Sequence, residues 1–213
     1  MIAIYTEKAD VGNKVAAALG GFVLPNGVHI NFSNRAKYED EIKKFQRSQG
    51  FLDIEFQGKP CRVTWGYGHM YGLQDVPEYN PAYKSWKARP VCFIPDEFKL
   101  HPITSSLANF NKTLTKQRQI IKETFRKAEC VINATDYDRE GELIFAYVCE
   151  AVGYRKPFFR VLFTSQTESG IKDAFDHLID SKDVASIEKA GRARSIYDWV
   201  IGTNMSTQMT LRF

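Results

Sequence analysis

Between Asp136 and Glu142 the chain carries four carboxylates in seven residues, Asp136-Tyr137-Asp138-Arg139-Glu140-Gly141-Glu142. A short apolar run, Cys130 to Thr135, precedes them, and Leu143, Ile144, Tyr147, Val148 and Ala151 follow at helical spacing. The acids therefore stand where a buried strand turns into a helix, at the carboxyl edge of a sheet, where ligands bind in parallel α/β folds. Anions concentrated there repel one another unless a cation neutralises them. The cluster offers oxygen donors with no His or Cys, a set that suits Mg²⁺ or Mn²⁺ better than zinc. Glu7 ends a second apolar run, Met1 to Thr6, and could meet Asp136 and Asp138 at the same edge. The plainer alternative is that acids in a first helical turn only complement the macrodipole, as Asp138 or Glu142 could, with Arg139 pairing to a neighbouring carboxylate. Asp136 and Asp138 standing together directly after a buried strand favours the metal.

The elements that must hold these groups read as follows. Met1 to Thr6 is a buried strand, and Asp10 is expected to cap a helix with Val11, Val15, Ala16 and Leu19 on one face, stopped by Gly20-Gly21. A polar helix is expected near Lys37 to Arg47, and Phe51 to Phe56 with Cys61 to Trp65 form a hairpin about Gly58-Lys59-Pro60. Residues 66 to 106 read as a long loop region rich in aromatic residues. Phe110, Leu114, Ile121 and Phe125 mark a helix whose other faces carry Lys112, Lys116, Arg118, Lys122, Arg126 and Lys127. That basic face reads first as solvated, and second as a weak phosphate-binding surface. Phe158 to Phe163 is a third strand, and Ser165-x-x-Glu168 a capping box for a helix burying Ile171, Phe175, Leu178 and Ile179. A last helix through Arg192, Arg194 and Asp198 is expected to break near Gly202. Strand and helix alternate, so the fold class is α/β with a mainly parallel sheet.

The whole composition excludes several classes. The 213 residues hold 29 Lys and Arg against 25 Asp and Glu, a net charge of +4 that hints only mildly at an anionic partner. No apolar stretch approaches the roughly 18 residues of a membrane span, and Glu7, Lys8 and Asp10 stand where a signal peptide needs its apolar core. A cytoplasmic protein is expected, with no membrane partner. Four scattered cysteines, without a Cys-x-x-Cys pair, read as reduced thiols rather than a disulfide framework or zinc site.

The acidic stretch also carries a resemblance. Ala134 to Glu142 resembles the D-x-D-R-E-G-E signature of the Toprim domain of type IA DNA topoisomerases. Glu7-Lys8 is similar to the Glu-Lys start of the topoisomerase III branch, and Val63-Thr64-Trp65-Gly66-Tyr67-Gly68-His69 to its V-T-W-x-x-G-H segment. Tyr83-Lys84-Ser85-Trp86 followed by Phe93-Ile94-Pro95 resembles the next block. Arg192-Ala193-Arg194, Asp198-Trp199, Gly202 and Asn204-Met205-Ser206 resemble the start of the helical DNA-binding domain. These five ordered blocks span nearly the whole chain. Residues 1–165 then correspond to a Rossmann-like Toprim domain with an insertion at about 28–58, and 166–213 to the beginning of the helical domain.

Type IA enzymes are isomerases that cut one DNA strand by tyrosine attack, pass another strand through and reseal. The resemblance implies that Glu7, Asp136 and Asp138 hold Mg²⁺, with Glu140 in supporting range. Lys8 would face the scissile phosphate as a charge donor or proton source, and Glu7 has a rival role in acid–base work on the leaving oxygen. Arg139 would orient the carboxylates or touch the phosphate. Arg194 and Trp199 would lie near the single strand, with Asp198 holding Arg194 in place, although a simple ion pair four residues apart is the bland reading of those two. Trp86 is a weaker DNA-binding candidate, and His69 is given no catalytic part.

Two departures stand out. Thr207-Gln208 follows the Asn-Met-Ser run where the family often has Arg, and no tyrosine segment of the G-Y-x-S-Y-P-R-T kind occurs in these residues. The chain is therefore expected to be an N-terminal fragment, Trp199 to Phe213 lacking packing partners, monomeric and inactive until joined by the remaining domains of its parent enzyme. The competing expectations are another Toprim enzyme, a primase or nuclease, and a DNA-binding module without catalysis.

Overall fold

The computed structural model describes residues 1–212. β1 (Ile2–Thr6) is followed by α1 (Ala9–Leu19), a small hairpin of β2 (Phe22–Val23) and β3 (His29–Ile30), and α2 (Glu39–Gln49). β4 (Phe51–Phe56) and β5 (Lys59–Trp65) form the expected antiparallel pair. Gln57 and Gly58, both at positive φ, make the two-residue turn that matches the twist of such a pair. β6 (Tyr71–Leu73), α3 (Val76–Tyr79) and β7 (Leu100–Pro102) lie within the stretch expected to be loop. α4 (Ala108–Lys127), β8 (Cys130–Asn133), α5 (Arg139–Val152), β9 (Phe159–Arg160), α6 (Glu168–Asp176), β10 (Ile179–Asp180) and α7 (Ser181–Arg212) complete the chain. No helix among the described residues is long and apolar enough to cross a membrane.

Six strands share one sheet in the order β10-β9-β8-β1-β5-β4, with β9, β8, β1 and β5 parallel and antiparallel strands at both edges. Central β1 is covered on both faces, which is why it reads as an unbroken apolar run. The two-residue alternation of a strand still sorts its side chains. Ile4 joins Ile132 and Val63 in a core closed by α1 and α6, with Val15, Ala16, Ile171 and Phe175. Ala3 and Tyr5 join Val131 in a second core under α4 and α5, with Leu114, Ile121, Phe125, Ile144 and Phe145.

Several boundaries differ from the sequence expectation. α1 starts after Lys8 without a side-chain cap, and Asp10 pairs instead with Lys14 at 2.6 Å. β9 is two residues long: Val161 N–H still donates to the Asn133 carbonyl (3.0 Å), but β8 has already turned away and leaves the rest of 158–163 no ladder. α6 is capped by Thr167, whose hydroxyl accepts from Gly170 N–H, and Ile179 belongs to β10. α7 runs through Gly202 without a break. Its first half packs on α5 and its second on residues 74–98, where Asn204 exchanges hydrogen bonds with the main chain of Phe93 (2.7 and 3.0 Å) and Gln208 donates to the Val91 carbonyl. The expectation that this segment lacks partners is thereby corrected; the aromatic-rich stretch expected to be loop is its partner.

Candidate active site

The register of β1 on β8 sets the site. Tyr5 lies opposite Asn133, and Ala134 N–H still donates to the Tyr5 carbonyl (2.8 Å), so the two strands end side by side. Glu7-Lys8 leaves one strand end and the Asp136–Glu140 turn leaves the other. The Glu7 side chain is 13% exposed, and its Oε1 lies 3.0 Å from Lys8 Nζ. Glu7, and to a smaller degree Asp136, hold the Lys8 ammonium above its ordinary range, so all three charges share one field. Gly66 N–H donates to the Thr6 carbonyl and Gly68 N–H to that of Glu7, which lays the loop after β5 across the end of β1. Gly66 is required there, because a Cβ would fall 2.4 Å from the Tyr5 hydroxyl.

The acidic turn is built from below. Asn133 Oδ1 accepts from the Thr135 amide (3.1 Å) and hydroxyl (2.8 Å), while its side-chain amide donates to Glu142 Oε2 (3.3 Å). Asp138 caps α5, its Oδ1 accepting from Gly141 N–H at 2.7 Å. The first-turn alternative thus accounts for one oxygen of Asp138 and leaves the other. Gly141 lies so close to the turn that a Cβ would stand 2.1 Å from the Asp136 carbonyl oxygen. Asp136, Asp138, Arg139 and Glu140 are exposed, and the Asp136 carboxylate has no hydrogen-bond or ion-pair partner among the described residues. Glu142 is different: it is buried and paired with Arg160 Nε, also buried. Burial pushes the Glu142 carboxyl up and the Arg160 guanidinium down, each shift opposed by the partner's charge.

Glu140 meets His69, with Oε1 to Nε2 at 2.5 Å. These two share a cleft of about 430 Å³ with Leu143, Tyr147, Arg194 and Asp198. Arg194 Nε lies 3.5 Å from Asp198 Oδ2, both side chains 63% exposed, so the ion pair exists and faces the acidic turn across the cleft. α7 approaches closely here because residue 191 is glycine, whose added Cβ would stand 2.6 Å from the Arg139 carbonyl.

Two tryptophans stand elsewhere. Trp199, expected near the single strand, donates from Nε1 to the Gln74 carbonyl (3.0 Å) and packs edge-on against Tyr79 and Phe98 and tilted against Phe93, so it holds α7 to residues 74–98. Trp86 lies in a separate cleft with Gly202, Thr203 and Ser206, the Arg89 guanidinium 4.3 Å above its ring. The sequence reading missed His69 as the partner of Glu140 and Arg160 as the partner of Glu142. A charged residue inside the apolar run 158–163 was the available signal for Arg160.

No three His, Cys, Asp or Glu side chains among the described residues are grouped closely enough, as they stand, to hold a metal ion. The donor set still fits a hard divalent cation: the unpartnered Asp136 carboxylate, the free oxygen of Asp138, and Glu7, whose companion is itself a cation, the Lys8 ammonium.

A three-layer α/β domain that gathers carboxylates at the carboxyl ends of its two central strands is the class that fold and site define. A Toprim domain model matches residues 6–165. The DNA topoisomerase 3 of Bacillus licheniformis is 31% identical over 174 residues, covering 81% of this chain and 22% of that protein. That of Staphylococcus epidermidis is 30% identical over 170 residues, 79% of this chain and 22% of the relative. Full-length topoisomerase I from Thermotoga maritima shares the fold, with a TM-score of 0.51 at 17% identity over 93% of this chain and 24% of that one. The chain belongs to the Toprim domain family, and spans about 22% of the length of the relatives it matches.

Proposed function

We propose that these residues supply the acidic, Mg²⁺-binding half of the strand-cleavage and rejoining site of a type IA, topoisomerase III-like DNA topoisomerase. The observation that carries this reading is the pairing of β1 with β8, which sets Glu7-Lys8 beside Asp136–Glu140. Glu7, Asp136 and Asp138 would hold the ion, with Glu140 in support. Bound there, Mg²⁺ supplies positive charge for a phosphodiester oxygen. Lys8, kept charged by Glu7, would face the departing 3′ oxygen as a positive charge or a proton source. Arg194, oriented by Asp198 across the cleft, takes a phosphate of the unpaired strand, and Arg139 lies exposed beside the turn to take another. Trp86, 37% exposed with the Arg89 guanidinium over its ring, is the tryptophan we assign to a base. We assign 1–165 to the Toprim domain and 166–213 to the start of a helical DNA-binding part.

The nucleophilic tyrosine comes from outside these residues, since none of the tyrosines present lies in a segment of the required kind. Calorimetric titration tests the reading: Mg²⁺ binds the wild-type chain and binds Asp136→Asn far more weakly. Equal binding by both proteins would remove the acidic turn from the site. Supercoiled plasmid stays supercoiled with these 213 residues alone; relaxation would show that the nucleophile is already present.

A further inference from the structure

We infer that Arg160 is a positioning residue for the acidic turn, fixing through main-chain carbonyls where Asp136 and Asp138 stand, with Glu142 as its anchor rather than a working carboxylate. The inference rests on the Mg²⁺ reading above and deepens it. Arg160 is 0% exposed and Glu142 1% exposed. Each Glu142 oxygen accepts from a protein donor, Oε1 from Arg160 Nε and Oε2 from the Asn133 amide, and the carboxylate is buried with them. The rest of the guanidinium is spent on backbone. Nη1 donates to the carbonyls of Asn133 (3.1 Å), Thr135 (2.7 Å) and Val161 (2.9 Å), and Nη2 to that of Asp136 (2.6 Å).

Stability alone does not call for this arrangement. A buried ion pair costs heavy desolvation, and apolar side chains of the same volume often replace one without loss. What an apolar chain cannot do is donate to these carbonyls: among the described residues the Thr135 carbonyl has no other donor, while those of Asn133 and Asp136 also accept from Val161 N–H and Asp138 N–H respectively (3.0 Å each). The guanidinium fork reaches the carbonyls of Asn133, Thr135 and Asp136, the last on the residue that carries the first free carboxylate. The Asp136 carbonyl accepts from both Arg160 Nη2 and Asp138 N–H (3.0 Å), with Gly141 packed closely against it. Groups that orient metal ligands from behind commonly change affinity by about 10–100-fold when removed.

The test compares wild type, the double variant Arg160→Met with Glu142→Leu, and Arg160→Lys, which keeps the charge toward Glu142 and loses the fork. Each is melted, its metal-free amide exchange followed over residues 134–141, and titrated with Mg²⁺. The expected result is a melting temperature close to wild type in at least one variant, with faster exchange across the turn and Mg²⁺ affinity lower by about 10–100-fold. Folded variants with wild-type exchange and wild-type affinity would overturn the inference. Should the double variant fail to fold, Arg160→Lys alone decides between these outcomes. Absence of Mg²⁺ binding by wild type refutes the functional reading, and the metal-free exchange then tests the positioning role of Arg160 by itself.

Discussion

Glycine to alanine at two helical positions should move stability in opposite directions. Gly202 sits inside α7, and a Cβ there would meet nothing within 4 Å. Alanine lowers the conformational entropy of the unfolded chain and carries better helix propensity, so Gly202→Ala should stabilise by about 1 kcal/mol. For a chain of this size that raises the melting temperature by about 2–4 °C. Gly141 lies in the first turn of α5, where a Cβ would stand 2.1 Å from the Asp136 carbonyl oxygen. That oxygen belongs to backbone held by Arg160, so it has little room to retreat. Overpacking of this kind costs about 1–3 kcal/mol, more than the propensity gained at a first-turn position. Gly141→Ala should therefore melt about 2–12 °C lower, while Gly202→Ala melts higher. Differential scanning calorimetry of the two variants beside wild type measures both. A Gly141→Ala protein as stable as wild type would mean that the acidic turn is not held where the packing places it.

Asp138→Asn keeps an N-cap oxygen for Gly141 N–H and should lose Mg²⁺ binding at unchanged stability, whereas Asp138→Ala should also cost about 1 kcal/mol of stability; calorimetry separates the two. The buried Tyr5 hydroxyl has no hydrogen-bond partner among the described residues, so Tyr5→Phe should gain about 1 kcal/mol in urea unfolding. Burial raises Tyr5 beyond the usual phenol range and Tyr154 to about 12, so above pH 10 the unfolded chain releases phenolic protons that the folded chain retains. Stability must then fall with rising pH, and Tyr154→Phe should flatten that fall in melts taken between pH 9 and 11 (about one unit either side of the free phenol). Arg194→Ala should weaken single-stranded oligonucleotide binding and reduce its salt slope by about one phosphate contact; an unchanged slope in anisotropy titrations would remove Arg194 from the strand.

The legible parts of the sequence were those whose partners lie nearby or whose burial is uniform. β1 and β8 are covered on both faces and read as apolar runs, and the turn between β4 and β5 is local chemistry. Asp136 and Asp138 could be singled out because a strand-to-helix switch brackets them. α7 could not be read correctly because its buried face changes along its length. Val184 and Gly191 turn toward the sheet domain, whereas Trp199, Asn204 and Thr207 face a segment more than a hundred residues earlier. No single apolar stripe runs through such a helix, and Gly202 then looks like a stop. Glu142 was illegible for a related reason: its partner enters from β9, eighteen residues on, and nothing local tells a buried acid from an exposed one.

Four carboxylates in seven residues would be strongly self-repelling if all were free, and the structure shows how the repulsion is divided. Glu142 is withdrawn into the interior against Arg160, Glu140 turns outward to His69, and one oxygen of Asp138 is spent on the end of α5. What stays uncompensated is the Asp136 carboxylate and half of Asp138, and the third acid at that edge, Glu7, has a lysine beside it. The excess negative charge is thus confined to the rim of the sheet, next to the two strand ends that the central pairing brings together. A cation and an anionic backbone approaching that rim meet complementary charge of both signs, the acids for one and Lys8, Arg139 and Arg194 for the other.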